Sequence, residues 1–186
     1  MKAVLMSIQP KWRELIASGE KTVEVRKNRP KLKTPFKVYI YCTKDNSFAE
    51  KTLRGFDDNG KAIYYKANKG KVIGEFVCDR ITPLYNICYD EWERLLGGLH
   101  EMEKELVGKA CLTEKELHDY ANGKRCYAWH ISDLVIYDKP RELGEFVKYR
   151  TDWGFRAGIG ALTGLDCNEY ITIPPQSWCY VEEVER

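Results

Sequence analysis

Histidine is scarce in this chain, with three among 186 residues. Its seven cysteines, at 42, 78, 88, 111, 126, 167 and 179, include no CxxC pair. Structural zinc sites are built from closely spaced Cys and His pairs. Only Cys126 and His130 come near that spacing, so neither a metal nor any other cofactor is expected. An odd, irregular set of cysteines also argues against a secreted disulfide framework. Cys42 ends the apolar run VYIYC and Cys78 ends VIGEFVC, as buried reduced thiols do, so a reducing, cytoplasmic setting is expected. No apolar run reaches the roughly 18 residues a membrane helix needs. The opening MKAVLMSIQP has no long apolar stretch and no small-residue cleavage site, and reads as a strand, not a secretion signal. Internal repeats and low-complexity tracts are absent.

What is present is a solvated exterior around a real core: 44% apolar and 31% charged residues, with a net charge of +2. The balance is uneven along the chain. Residues 1–44 carry eleven Lys/Arg against three Glu, and residues 89–119 carry nine acids against four bases. Such a split suits one face attractive to anions and an acidic flank elsewhere.

Strand signals fall at AVLMSI (3–8), TVEVR (22–26), FKVYIYCT (36–43), GKVIGEFVCDRITPLY (70–85), RCYAWHISDLVIY (125–137) and 178–181. Pro10 suits a first helical turn. Trp12, Leu15 and Ile16 follow as one apolar stripe, and Gly19 is placed to end that helix in the left-handed conformation. KTLRGFDDNGKAIYYK (51–66) reads as a hairpin around Asn59-Gly60. Residues 89–122 read as helical, with Trp92, Leu95, Leu96 and Leu99 as an apolar face and Gly97-Gly98 splitting it. Thr113 and Glu116 form a capping-box pattern, and Gly123 is a stop. A short helix is expected near 142–147, then loop to 170. Strands of this order with few helices predict an α+β fold with a small, barrel-like mixed sheet. One domain is expected, carrying a hairpin insertion at about 45–69 and a helical insertion at about 86–122.

The charges of ASGEKTVEVRK (17–27) stand where helix hands over to strand. Val23 and Val25 face one way; Thr22, Glu24 and Arg26 face the other. Residues two apart on a strand sit about 7 Å apart, so long Glu and Arg side chains can meet or grip one ligand. Left in water, the pair is a surface ion pair contributing on the order of 0.5 kcal/mol. The loop RKNRPKLK (26–33) adds a run of positive charge.

SIQPKWRELIASGEKTVEVRK, VYIYCTK, GKVIGEFVCD, YAWHISDLVIYDKP and PPQSWCYV together resemble the ASCH domain (activating signal cointegrator homology) of the PUA-like superfamily. Its most specific piece is G-x-K-x-x-E-x-R: Gly19, Lys21, Glu24 and Arg26. The resemblance covers most of residues 3–83 and 125–182. It implies a PUA-like small mixed β-barrel with flanking helices, and a cleft beside the first helix lined by these motif residues. It also implies a ligand that is RNA or a modified nucleotide.

On that reading, Lys21 and Arg26 hold a phosphate or base edge, and Glu24 accepts from a base amino group. Trp12 and Trp178 are candidates for base stacking, although Trp12 lies on the apolar stripe with Leu15, a position that favours core packing. Ser7, Gln9 and Ser177 are candidate polar contacts, and Lys27, Arg29, Lys31 and Lys33 would follow the backbone. The alternative is a hydrolase in the same cleft, with Lys21 and Glu24 catalytic, acting on RNA or on a modified nucleoside. Family members that act as amidohydrolases carry a threonine where this chain has Glu24, and Thr22 is the nearest replacement. His130 within YAWHI reads as structural. A third reading is a protein-docking surface on the 89–119 helices.

Overall fold

The computed structural model describes residues 1–44, 51–56, 62–66, 70–84, 99, 101–149 and 169–184. The strands are β1 (Lys2–Ile8), β2 (Val23–Arg26), β3 (Phe36–Cys42), β4 (Lys51–Phe56), β5 (Ala62–Lys66), β6 (Lys71–Leu84), β7 (Cys126–Glu142) and β8 (Trp178–Glu182). The helices among the described residues are α1 (Pro10–Ala17), α2 (Glu101–Lys109) and α3 (Glu114–Ala121). A single 3₁₀ turn at Leu143–Glu145 stands where a short helix was expected.

Six strands form a mixed sheet in the order β2-β7-β6-β3-β1-β8, which makes the protein α+β. β1 and β3 pair in parallel, and residues 9–35 supply the crossover that a parallel pair requires. β8 pairs antiparallel with β1, and β2 antiparallel with β7. Among the described residues β2 and β8 are the two ends of this order, so hydrogen bonding does not close the sheet into the barrel that the sequence suggested. β4 and β5 pair as the expected hairpin, with an irregularity between Leu53 and Gly55. Its Asn59-Gly60 turn lies outside the described residues.

Two compact units divide the chain. One comprises Met1–Pro10, Lys37–Glu75 and Ile136–Arg186; the other comprises Lys11–Phe36 and Phe76–Val135. The first has a core of Ala3, Leu5, Tyr39, Val72, Phe146 and Val181. Within it, Tyr137 donates its hydroxyl to buried Glu75 at 2.5 Å, and Lys37 bridges Glu75 (3.5 Å) and Glu183 (3.0 Å). A carboxylate taken out of water needs such partners.

The second unit's core joins Val23 and Val25 of β2 and Cys126 and Ala128 of β7 to Leu106, Val107 and Leu117. Alternation explains the strand contribution, because Val23 and Val25 share one face of β2. α3 begins as the sequence indicates: Thr113 Oγ1 accepts from Glu116 N (3.1 Å), and Glu116 Oε2 accepts from Thr113 N (2.9 Å). Its left-handed cap is Asn122 (φ 46°), one residue before the expected Gly123. Leu99 is packed into this core rather than presented to a partner. Trp92, Leu95, Leu96 and Gly97-Gly98 lie outside the described residues.

Candidate functional site

α1 ends at Ala17, and Gly19 takes φ +80°, a conformation glycine adopts without steric cost. The chain then turns back, so that Lys21 N donates to Leu15 O (2.8 Å) and Thr22 N to Lys109 O (3.0 Å). Lys21 is thereby fixed against its own helix and beside the end of α2. Its ammonium donates to the carbonyl of Ala110 at 2.5 Å. Carbonyls at a helix C-terminus are the negative end of the dipole, where a cation is stabilised.

β2 follows immediately. Direct partners in an antiparallel pair share a face, so Glu24, opposite Trp129, lies on the same side as Arg26, opposite Tyr127. The two cations meet on Glu24. Lys21 Nζ is 3.4 Å from Oε2, and Arg26 Nη2 is 3.1 Å from Oε1. All three residues are buried: Lys21 is 3%, Glu24 6% and Arg26 9% exposed. The solvated ion pair that the sequence equally allowed is therefore not what forms. Two cations around one carboxylate leave an enclosed net positive charge. Glu24 Oε2 receives no hydrogen bond from any described residue. It is a buried acceptor with lone-pair capacity to spare.

Aromatic rings surround these charges. Trp12 is half-buried, with Lys21 Nζ 4.9 Å and Lys11 Nζ 4.3 Å from its ring centre. Cations over an indole face are held by its quadrupole. The helix therefore buries Ile16 and Arg13 more fully than the tryptophan of its expected apolar stripe. Tyr120 of α3 stands near Glu24 and Arg26, whose charges both reach it; burial pushes its hydroxyl up, and the Lys27 backbone hydrogen-bonds it. Lys27 Nζ lies 5.1 Å from the Tyr120 ring centre, and the Arg29 guanidinium 5.9 Å from that of Tyr127.

Trp12, Lys21, Glu24, Arg26, Lys27 and Arg29 thus belong to the second unit. Ser7, Gln9, Ser177 and Trp178 belong to the first. There, Ser7 N donates to Ser177 O (2.9 Å), and Ser7 Oγ donates to Pro175 O (2.6 Å). Gln9 is exposed, and Trp178 packs edge-on against Tyr180 at 5.3 Å. Thr22 is exposed and does not share the enclosure of Glu24.

His130 has Arg80 Nη2 at 3.2 Å from Nδ1 and Thr82 Oγ1 at 3.0 Å from Nε2, the engagement of a structural histidine. Burial and then Arg80 push it below the ordinary histidine value. His118 is exposed beside Asp119, and His100 lies outside the described residues. Among the described residues no group of three or more His, Cys, Asp or Glu is arranged to hold a metal ion. No helix among them is long and apolar enough to cross a membrane.

Tyr120, Tyr127 and the Ala110 carbonyl were not singled out from the sequence. Alternation along β7 puts Tyr127 on the face of Trp129, but only the β2–β7 register sets that face against Arg26. No local pattern links Tyr120, almost a hundred residues on, to Glu24.

The model of the ASCH domain matches residues 6–132, and the chain belongs to this family. The crystal structure of ASCH from Zymomonas mobilis aligns with a TM-score of 0.55 at 18% identity, covering 97% of this chain and 88% of that one. Two point mutants of the same Zymomonas mobilis protein align similarly, with TM-scores of 0.56 and 0.55, each at 18% identity. They cover 98% and 97% of this chain, and 92% and 89% of theirs. At this identity the likeness concerns the fold. No curated protein matches the sequence.

Proposed function

We propose that this protein binds RNA or a modified nucleotide through Lys21, Glu24 and Arg26, with Trp12 beside them and Lys27 and Arg29 flanking. One observation carries the reading: two cations converge on a single enclosed carboxylate whose Oε2, ion-paired with Lys21, accepts no hydrogen bond. That arrangement suits a nucleobase edge, which offers an amino donor and a carbonyl acceptor side by side. Glu24 takes the amino group and Arg26 turns its fork toward the carbonyl or a phosphate, while Lys21 holds Glu24 ionised from behind. The half-buried Trp12 ring supplies a face for stacking. Membership of the ASCH family supports the same ligand class. The reading includes a PUA-like sheet in one cytoplasmic domain, with the 45–69 hairpin and the 86–122 stretch as insertions. It requires neither metal nor organic cofactor.

The test is to incubate the protein with labelled single-stranded RNA and with acylated cytidine, following both retention and turnover. Salt-sensitive retention without turnover is the expected result. Turnover that disappears in Glu24→Gln while binding persists would replace the binder with a hydrolase. Absence of any binding at low salt would defeat the proposal.

A further inference from the structure

The loop after β2 builds a second feature beside the charged trio. Along residues 29–33 the side chains alternate in exposure. Arg29, Lys31 and Lys33 are exposed, whereas Pro30 is buried and Leu32 half-buried. The apolar pair anchors the loop, and the three cations are held outward at every second position. Their Cα atoms are then no more than about 7 Å apart from one to the next, the reach of two residues. The loop and Ile81 together enclose a concave groove of about 450 Å³. That volume lies in the range of small-ligand sites. Its walls are cationic, and Pro30, Leu32 and Ile81 supply apolar surface.

Tyr127 joins this groove to the trio. It stands opposite Arg26 in the β2–β7 register, and the Arg29 guanidinium lies 5.9 Å from its ring centre. An arginine laid on an aromatic face keeps its planar fork pre-organised for a phosphate. Successive cations beginning at the trio and continuing through Arg29, Lys31 and Lys33 match an anion that repeats along a chain, not one that ends after a single charge.

From this we infer that the 29–34 groove is a backbone subsite for a single-stranded polynucleotide whose neighbouring base is held at Lys21, Glu24 and Arg26. The inference rests on the nucleotide reading of the trio and adds the substrate class: a strand, not a free mononucleotide and not a duplex. Pro30, Leu32 and Ile81 give the groove apolar surface that suits an unpaired ribose or base, which a duplex keeps stacked inside.

Titration of labelled oligocytidylate of about eight nucleotides, within the usual site size of single-strand binders, tests this against cytidine 5′-monophosphate over a range of salt. The oligomer is expected to bind at least about tenfold more tightly than the monophosphate. Each phosphate neutralised adds about 0.7 to the steepness of the salt plot, so Lys31→Gln with Lys33→Gln should flatten it by about 1.4. Lys31→Glu with Lys33→Glu should weaken the oligomer further, and in both variants the oligomer should lose more affinity than the monophosphate.

Equal affinity for monomer and oligomer, or an unchanged slope in the lysine variants, overturns the groove assignment and leaves the trio reading standing. Equal binding of an RNA duplex of the same length overturns the single-strand assignment. Displacement by polyglutamate as readily as by RNA makes the groove a site for acidic polypeptides instead. If neither monophosphate nor oligomer binds at low salt, both readings fall together.

Discussion

Lys21 and Glu24, three residues apart, place Nζ and Oε2 within 3.4 Å of each other while both are almost wholly withdrawn from water. Arg26 reaches the other oxygen of the same carboxylate at 3.1 Å. Removing water from an ion costs several kcal/mol, and a partner offsets that cost only if its geometry is good. The three residues therefore stand or fall as a unit.

Glu24→Gln strands two enclosed cations. Its cost should be about 3 kcal/mol by urea denaturation. Replacing all three residues together with methionine should recover most of that stability, because no uncompensated charge remains, yet nucleotide binding should still be lost. A triple variant that retained binding would separate the ligand site from this cluster.

Trp12→Ala should weaken RNA binding by about tenfold, the low end of what one stacked base contributes. Trp12→Phe should restore part of the loss. Unchanged anisotropy titrations for the alanine variant, with folding intact, would show that the ring serves packing alone.

In the first unit, Tyr137→Phe removes the hydroxyl that donates to Glu75. Hydrogen bonds to charged groups contribute about 2 kcal/mol each, so the variant should unfold at correspondingly lower urea. Burial and then the Glu75 hydrogen bond hold the Tyr137 hydroxyl well above the ordinary tyrosine range. A folded-state value raised this way leaves the stability intact below the unfolded value of 10.0 and erodes it as pH climbs beyond. The phenylalanine variant should lose that alkaline sensitivity.

His130 acts with the opposite sign. Burial, then Arg80, lower its value from the ordinary 6.5; Lys109 lowers it further and Asp79 opposes them. The unfolded chain then binds the proton more readily, so stability present at neutral pH declines as pH falls below about 6.5. Comparing urea midpoints at neutral and mildly acidic pH checks this, and His130→Asn should flatten the difference.

Much of the framework was legible from the residues. Apolar runs located β1, β3, β6 and β7 to within a few positions, except that β7 continues to Glu142. Thr113 and Glu116 announced α3 because a capping box is local chemistry written in four residues. The meeting of Arg26 with Glu24 followed from period-two alternation, whereas Lys21 reaches the carboxylate from the turn before β2. The burial of Glu24 did not follow, since alternation says which residues share a face and nothing about what covers it. Ala110 and Tyr120 arrive from helices far along the chain, and only tertiary packing brings them to β2. Sheet closure was not legible for a related reason: strand count is visible in a sequence, whereas the pairing of the two edge strands, β2 and β8 among the described residues, depends on long-range register.

The contrast between Lys21, sealed against Ala110 O, and the outward Lys31 and Lys33 gives the protein a built-in chemical fingerprint. An amine-directed acylating reagent should label the two loop lysines rapidly and pass over Lys21 until the chain unfolds. Mass spectrometry of brief labelling would thus read out, peptide by peptide, whether a bound strand shields the loop while the seal behind it stays shut.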